Sequence, residues 1–514
     1  VSYISASLDR RTNEVLVWSS ENHVTTCERH PGIFEFYIES KDGAYNSIFN
    51  EKLKKYTFET WADFSEAKKY LIDEKQIKLY ESDIAPEFKV LSKLYYNKPS
   101  PKLNITFYDI EVDYSPELGF SSPLNPYAPI NAISLYHYWS GESYVLAIPP
   151  PGFDMVTFDE SLRDLATVEI FRNERSLLLR FLDLIENTDL ISGWNNNGFD
   201  DPYICKRIEK TLGPRALKRM SFKDALPPRF REQEFRGKKQ LHVDIYGRVS
   251  VDYLEIFKKY EFKERPSYKL EVIADEFLPE LPKLSYTGTL ANLYHNDFNH
   301  FVRYNIRDTE ILKGFEDKLG YMALANDMCH SSCGQFNHIH GTVKLVDYAI
   351  INYCHYELDF IVPDRWDTAD GSIQGAYVLL PQKGMHDLVG SIDIASLYPS
   401  AIMAVNISPE TYIGQFINNI NDWEAIYARN EIELTLQLDS GECIVKTTSE
   451  WIQYLWDKKW AVSGYGTVYD QKEPGVIPTI LSNWYVERKE FQRLKGQAQT
   501  DANAILAKYN KELT

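Results

Sequence analysis

Apolar and polar positions change rhythm several times along this chain. Three short runs near the start, residues 3–8, 14–18 and 33–38, alternate with the period of two that predicts strands, and residues 60–70 carry the wider spacing of a helix. A loop rich in Pro and Lys at residues 97–102 closes this α+β module, which holds no chemical motif. The next run, Ile-Thr-Phe-Tyr-Asp-Ile-Glu-Val at residues 105–112, predicts a central strand on which Asp109 and Glu111 share a face with Ile105 and Phe107. The two acids would stand about 7 Å apart. Acids on an otherwise apolar strand face are costly unless a cation sits between them.

Later segments extend the pattern. Leu190 and Ile191 end a strand, the Asn- and Gly-rich residues 192–198 make a loop, and Pro202 opens a helix. Asp201, directly before Pro202, is then the helix cap, and Asp200 points into whatever the loop surrounds. Residues 301–312 predict a helix that puts Tyr304 and Asp308, four apart, on one face. Residues 390–414 predict an apolar strand carrying Asp393, a Ser-Leu-Tyr-Pro-Ser turn and an apolar helix. Residues 478–493 predict a helix beginning at Pro478, and residues 504–514 a further helical stretch.

Composition narrows the class. A chain of 514 residues implies about three or four domains, and 44% hydrophobic with 25% charged residues describes a folded, non-membrane protein. The net charge of −18 excludes a protein that coats nucleic acid over its whole surface, but residues 206–239 hold twelve Lys or Arg against four acids, a candidate phosphate-facing wall. The 35 Tyr and 26 Phe suit both cores and base-stacking surfaces. The six scattered cysteines are expected as reduced thiols. Cys329, Cys333, His338 and His340 imitate a zinc knuckle, and buried thiols on a helix explain them better.

Four carboxylates on a strand, a loop and a helix, Asp109, Glu111, Asp200 and Asp308, are enough to hold two divalent ions about 4 Å apart for in-line attack at a phosphodiester. Hard carboxylate ligands favour Mg²⁺ or Mn²⁺, two ions per active site, and Tyr304 would orient the attacking water.

The order D-I-E, then G-x-N with F-D following, then Y-x-x-x-D resembles the three exonuclease motifs of proofreading domains, in their tyrosine variant. The Asp393 motif D-x-x-S-L-Y-P-S is similar to motif A of family B DNA polymerases, and residues 396–400 with 405–411 resemble the replicative enzymes of large tailed phages. Residues 250–260 and 266–270 strengthen the likeness, which runs from about residue 100 to the mid-490s. The resemblance implies an α/β and α+β multidomain fold: an N-terminal accessory domain over 1–103, a ribonuclease H-like 3′→5′ exonuclease domain over 104–320, a return to the N-terminal domain over 321–364, a partial palm over 365–474 and partial fingers over 475–514.

Residue by residue, the resemblance makes Asp109, Glu111, Asp200 and Asp308 the exonuclease metal ligands and Tyr304 the water-positioning residue. By the same resemblance Phe120 would stack near the frayed primer end, and Arg236, Lys238 and Lys239 would belong to a hairpin that parts primer from template. Asp393 would be a polymerase metal ligand, with Ile394 offering its carbonyl. Ser396 and Leu397 would lie against the triphosphate, Tyr398 would be the gate against a ribose 2′-hydroxyl, and Arg488 would grip the incoming dNTP. Gln492 departs from the pattern, standing where a second cation is common.

Neither K-x-x-x-N-S-x-Y-G nor D-T-D occurs in residues 415–514. The expectation is the first portion of a replicative polymerase, either a fragment or one subunit of a split enzyme. It would hydrolyse single-stranded DNA alone and synthesise on primer-template only with the missing motifs, and the full enzyme would bind a processivity clamp in the cytoplasm of an infected bacterium. A stand-alone exonuclease with a residual polymerase region, or a catalytically silent DNA-binding scaffold, are the alternatives.

Overall fold

The computed structural model describes residues 2–513 apart from 22–23, 115–116, 223–224, 236–237, 366–378, 395, 418–427 and 429. The chain divides into two units. One comprises residues 1–36, 56–77 and 82–352, the other residues 37–55, 78–81 and 353–514.

The first two period-two runs form β1 (Ser2–Asp9) and β2 (Glu14–Glu21), which make an antiparallel sheet with β3 (Val24–Pro31). Alternation does not announce β3, whose Thr-Thr-Cys-Glu-Arg-His run is largely polar on both faces; its ladder with β2 defines it. Then come β4 (Phe34–Glu39), β5 (Tyr45–Ser47), β6 (Lys52–Phe58) and helix α1 (Trp61–Lys69). Thr60 sets the start of α1 one residue later than the sequence period, because its hydroxyl accepts from the Asp63 N–H at 3.1 Å. Helix α2 (Pro86–Tyr95) starts on its proline.

The centre of the first unit is a six-stranded sheet built from β7 (Ile105–Val112), β8 (Ile130–His137), β9 (Glu142–Ala147), β10 (Thr167–Ile170), β11 (Leu190–Gly193) and β14 (Val249–Asp252), in the order β10-β9-β8-β7-β11-β14. Between β11 and β14 a hairpin of β12 (Arg229–Phe235) and β13 (Lys238–Asp244) stands apart. Helix α3 (Glu174–Leu184) precedes β11, and α4 (Asp200–Leu212) with the short α5 (Pro214–Leu217) follows it. After β14 come α6 (Tyr253–Tyr260), α7 (Leu270–Phe277), α8 (Leu290–Asn296), α9 (Phe298–Leu319), α10 (Tyr321–Ser331) and α11 (Thr342–Tyr353).

Strand β7 is interior, antiparallel to β8 and parallel to β11, so its backbone is paired on both sides. Its two faces enter different cores. Tyr108 and Ile110 pack with Phe181 of α3 and Ile204 of α4, while Ile105 and Phe107 pack with Ile311, Leu312 and Phe315 of α9. Each fully buried side chain of this size contributes roughly 1.5–3 kcal/mol. Asp109 and Glu111 continue the second face, which fixes their direction toward α9.

In the second unit β15 (Phe360–Ile361) pairs in parallel with β5. Helix α12 (Leu397–Val405) precedes β16 (Tyr412–Phe416), β17 (Glu433–Leu438), β18 (Cys443–Thr447), α13 (Thr448–Lys458), β19 (Trp460–Val462) and β20 (Thr467–Asp470). These strands form an antiparallel sheet, β18-β17-β16-β20-β19, closed over Phe416, Leu434, Leu436, Trp451 and Val468. Helix α14 (Val476–Leu513) is 38 residues long. The end of α12 and the start of α14 are tied by Asn406, whose amide donates to the carbonyls of Asp470 and Glu473 and accepts from the Gly475 N–H. Among the described residues no helix is long and apolar enough to cross a membrane.

The strand predicted to carry Asp393 is not formed: the described residues 391–394 have no regular secondary structure, and Ile392 is 97% exposed. A strand needs a neighbour to satisfy its N–H and C=O groups, and no described strand lies against this one. The predicted helix after the turn does form, as α12.

Candidate metal centre

Three of the four predicted carboxylates of the first unit meet. Asp109 and Glu111 from β7 and Asp308 from α9 bring carboxylate oxygens within 4.8 Å of one another. Asp200, in the first turn of α4, lines the same cavity of about 400 Å³, and its Oδ1 accepts the Ile110 N–H at 3.1 Å. Tyr304 lines it too, one helical turn before Asp308. The period of two on β7 and the spacing of four on α9 thus converge, because the odd face of β7 packs on α9.

The split of roles between Asp200 and Asp201 differs from the sequence expectation. Helix α4 already begins at Asp200, and Asp201 caps nothing. Its carboxylate accepts from the Tyr108 hydroxyl, from Ser250 Oγ at 2.5 Å and from Asn196 Nδ2 at 2.9 Å. Partners from β7 and β14, invisible to local sequence, draw it into the core behind the cavity.

Lys283 is the residue that sequence reasoning missed. Its ammonium lies 2.9 Å from Asp308 Oδ2 and 4.7 Å from the centre of the Tyr304 ring. Burial works to discharge it, yet Asp308 beside it keeps its pKa above the usual lysine value. The edge of the Tyr286 ring meets Tyr304 at 5.4 Å. Residues 279–286, Pro-Glu-Leu-Pro-Lys-Leu-Ser-Tyr, have no period; the local signal was a lysine between Pro282 and Leu284 in an irregular segment.

The electrostatics are those of a cation site. Burial, then the Asp308 charge, push Asp109 up to about 7 against the pull of Lys283. Burial and then Asp109 raise Glu111 well above the usual range and raise Asp200 as well, while burial outweighs Lys283 at Asp308. Asp308 Oδ1 is buried with no hydrogen-bond partner. One ammonium does not neutralise four clustered carboxylates. Oxygen-only donors, mutual repulsion and an orphaned buried carboxylate oxygen suit hard divalent cations.

The mouth of the cavity is aromatic. Phe120, 70% exposed, rests on Phe199 with ring centres 5.6 Å apart, and Phe199 stacks on Tyr203. The basic stretch serves partly as structure: Lys206, Arg207, Arg219 and Arg231 are in ion pairs with Glu209, Glu174, Asp183 and Asp244. Arg236 lies outside the described residues; Lys238 begins β13, and Lys239 on β13 is exposed. The cysteine and histidine cluster holds no metal group among the described residues. Cys329 and Cys333 are buried, and His330 is bonded to the carbonyls of Asn326 and Tyr3.

The second unit presents its predicted residues differently. Asp393, Ile394, Leu397 and Tyr398 are exposed, Tyr398 at 73%. Ser396 has a left-handed backbone (φ 55°), and its hydroxyl accepts from Arg488 Nη1 of α14 at 2.9 Å. Among the described residues Asp393 belongs to no cluster of three potential metal ligands.

Comparison with known proteins agrees with both halves. Residues 57–273 match the family described as "DNA polymerase family B, exonuclease domain", and residues 339–511 match "DNA polymerase family B". The chain is 26% identical over 526 residues to a DNA-directed DNA polymerase of Escherichia phage RB69, covering 98% of this chain and 53% of that protein. It is 29% identical over 338 residues to a DNA-directed DNA polymerase of Enterobacteria phage T4, covering 65% of this chain and 34% of that protein. DNA polymerase 1 of Aeropyrum pernix is 26% identical over 348 residues. The chain therefore spans between about a third and about half the length of these relatives.

Proposed function

This chain belongs to the family B DNA polymerases and carries their exonuclease domain, and from that premise we propose that its first unit removes nucleotides from the 3′ end of single-stranded DNA. The observation that carries the proposal is the convergence of Asp109, Glu111 and Asp308, with Asp200 and Tyr304, in one cavity with an aromatic mouth. Asp109, Glu111, Asp200 and Asp308 would hold two divalent cations, Mg²⁺ or Mn²⁺. Such ions, when bound, lower the pKa of an attacking water and stabilise the charge on the leaving oxygen.

The protein's own groups do the rest. Phe120 stacks on a base near the 3′ end, a contact worth roughly 1–3 kcal/mol per base. The Tyr304 hydroxyl, at the cavity beside Asp308, orients water toward the terminal phosphodiester. Lys239, with Lys238 and Arg236 near it in sequence, would offer positive charge to the DNA strand. Lys283 favours the charged form of Asp308 against its burial and holds the carboxylate in place, so that the site is preformed.

In the second unit Asp393, the Ile394 carbonyl, Ser396, Leu397, Tyr398 and Arg488 form the part of a dNTP site that this chain supplies. The Arg488–Ser396 hydrogen bond favours that reading, since it joins two segments expected at the triphosphate. Synthesis on primer-template then requires a polypeptide segment carrying K-x-x-x-N-S-x-Y-G and D-T-D. The full enzyme would engage a processivity clamp and work in the cytoplasm of an infected bacterium.

The test is direct. Purified chain with Mg²⁺ or Mn²⁺ should shorten 5′-labelled single-stranded DNA from its 3′ end and should not extend a primer. Intact substrate would overturn the nuclease reading; template-directed extension would overturn the incompleteness of the polymerase half.

A further inference from the structure

Strand β14 ends at Asp252, paired with Gly193 at the end of β11, so this carboxylate stands where the loop to α4 departs. It is 1% exposed and belongs to none of the groups assigned above. Its Oδ1 accepts two backbone N–H groups, from Asn195 at 2.9 Å and from Leu254 at 3.0 Å. The second bond caps α6. The first does something a cap does not: it fixes Asn195, a non-glycine residue held at φ 69° that lines the cavity beside Trp194, Phe199 and Asp200.

From Asn195 the order passes onward. Asn196 Oδ1 accepts the Gly193 N–H at 3.0 Å, its Nδ2 donates to Asp201, and its carbonyl accepts the Asp201 N–H at 2.9 Å. Asp200 stands in the first turn thus anchored. Gly193 leaves no slack, because a Cβ there would meet the Tyr108 carbonyl at 2.8 Å.

Resting on the nuclease reading, we propose that Asp252 is a positioning residue: by holding the Asn195 backbone in its left-handed conformation it sets the cavity wall that receives the 3′-terminal nucleotide. It touches neither substrate nor reacting atoms. What the role requires is an acceptor oxygen at that point, so asparagine should serve and alanine should not.

The test uses the whole chain with Asp252→Ala and Asp252→Asn. Binding of 5′-fluorescein-labelled oligo(dT) is measured by anisotropy with Ca²⁺ in place of Mg²⁺, and KM and kcat are measured with Mg²⁺. The alanine variant should bind roughly 10-fold more weakly and raise KM by a similar factor, with kcat within about 2-fold of wild type. The asparagine variant should return both to within about 2-fold. The proposal is overturned if the alanine variant binds like wild type, or if asparagine binds no better than alanine. A wild-type chain that binds oligo(dT) without cutting it would overturn the nuclease reading alone, leaving this proposal to the binding data. One that does not bind would overturn both.

Discussion

The strand that carries Asp109 and Glu111 and the segment that carries Asp393 are both apolar runs interrupted by acid, yet they come to opposite surroundings. β7 is paired on both sides and packed on both faces, and its acids meet Asp308 from α9 and Asp200 from α4. Residues 391–394 have no partner strand among the described residues, and Ile392 and Ile394 are solvent-exposed at 97% and 60%. The difference teaches that a carboxylate joins a cluster of potential ligands through the elements that converge on it. Its own motif does not suffice.

The comparison can be broken most severely at the four-carboxylate cavity. Changing Asp109 and Glu111 together to Ala should lower nuclease activity more than ~100-fold, since even outer-shell losses at metal sites cost 10–100-fold. Mg²⁺ should raise the Tm of the wild-type chain, by about 2.7 kcal/mol of stability at a hundredfold excess over its dissociation constant, and leave the double variant unmoved. A variant that still digests DNA, or still gains Tm from Mg²⁺, would mean that the ions bind elsewhere.

Phe120→Ala comes next. The loss of one base stack, roughly 1–3 kcal/mol, predicts weaker binding of single-stranded oligonucleotide by about 5- to 150-fold, with Tm nearly constant because the ring is exposed. Unchanged binding would remove the aromatic mouth from the site.

A smaller effect concerns pH. Burial, with Glu255 nearby, pushes the Asp252 carboxyl up to about 7. A folded-state pKa above the unfolded value of about 3.9 gives a stabilising contribution that is complete below pH ~4 and is lost as pH rises through about 7. Denaturant melts of wild type and Asp252→Asn from pH 4 to pH 8 should therefore diverge, with wild type falling relative to the variant. Parallel curves would contradict the assignment.

The smallest effect is expected at Asp393. Asp393→Ala should change stability by no more than about 0.5 kcal/mol and leave the nuclease intact, because an exposed side chain loses nothing it was holding. A marked loss of nuclease activity would show that the two regions are energetically coupled.

Much of the first unit was legible because its rules are local. Period two on β7 and a spacing of four on α9 gave four of the five residues at the centre of the cavity, and the packing of the odd face of β7 on α9 supplied their meeting. Asp201 was misread because its partners, Tyr108 and Ser250, arrive from strands far away in sequence. Lys283 escaped because an irregular loop has no period to read. The Asp393 strand failed for the complementary reason: the local pattern was strand-like, but strand structure belongs to a sheet and cannot be specified by one segment.

Lys283 has a consequence for how the acids come together. Its ammonium is a tethered positive charge that offsets part of the repulsion between the strand and helix that carry them. On the proposed reading, folding would then not have to wait for the ions: the acids could take their places first and be loaded afterwards.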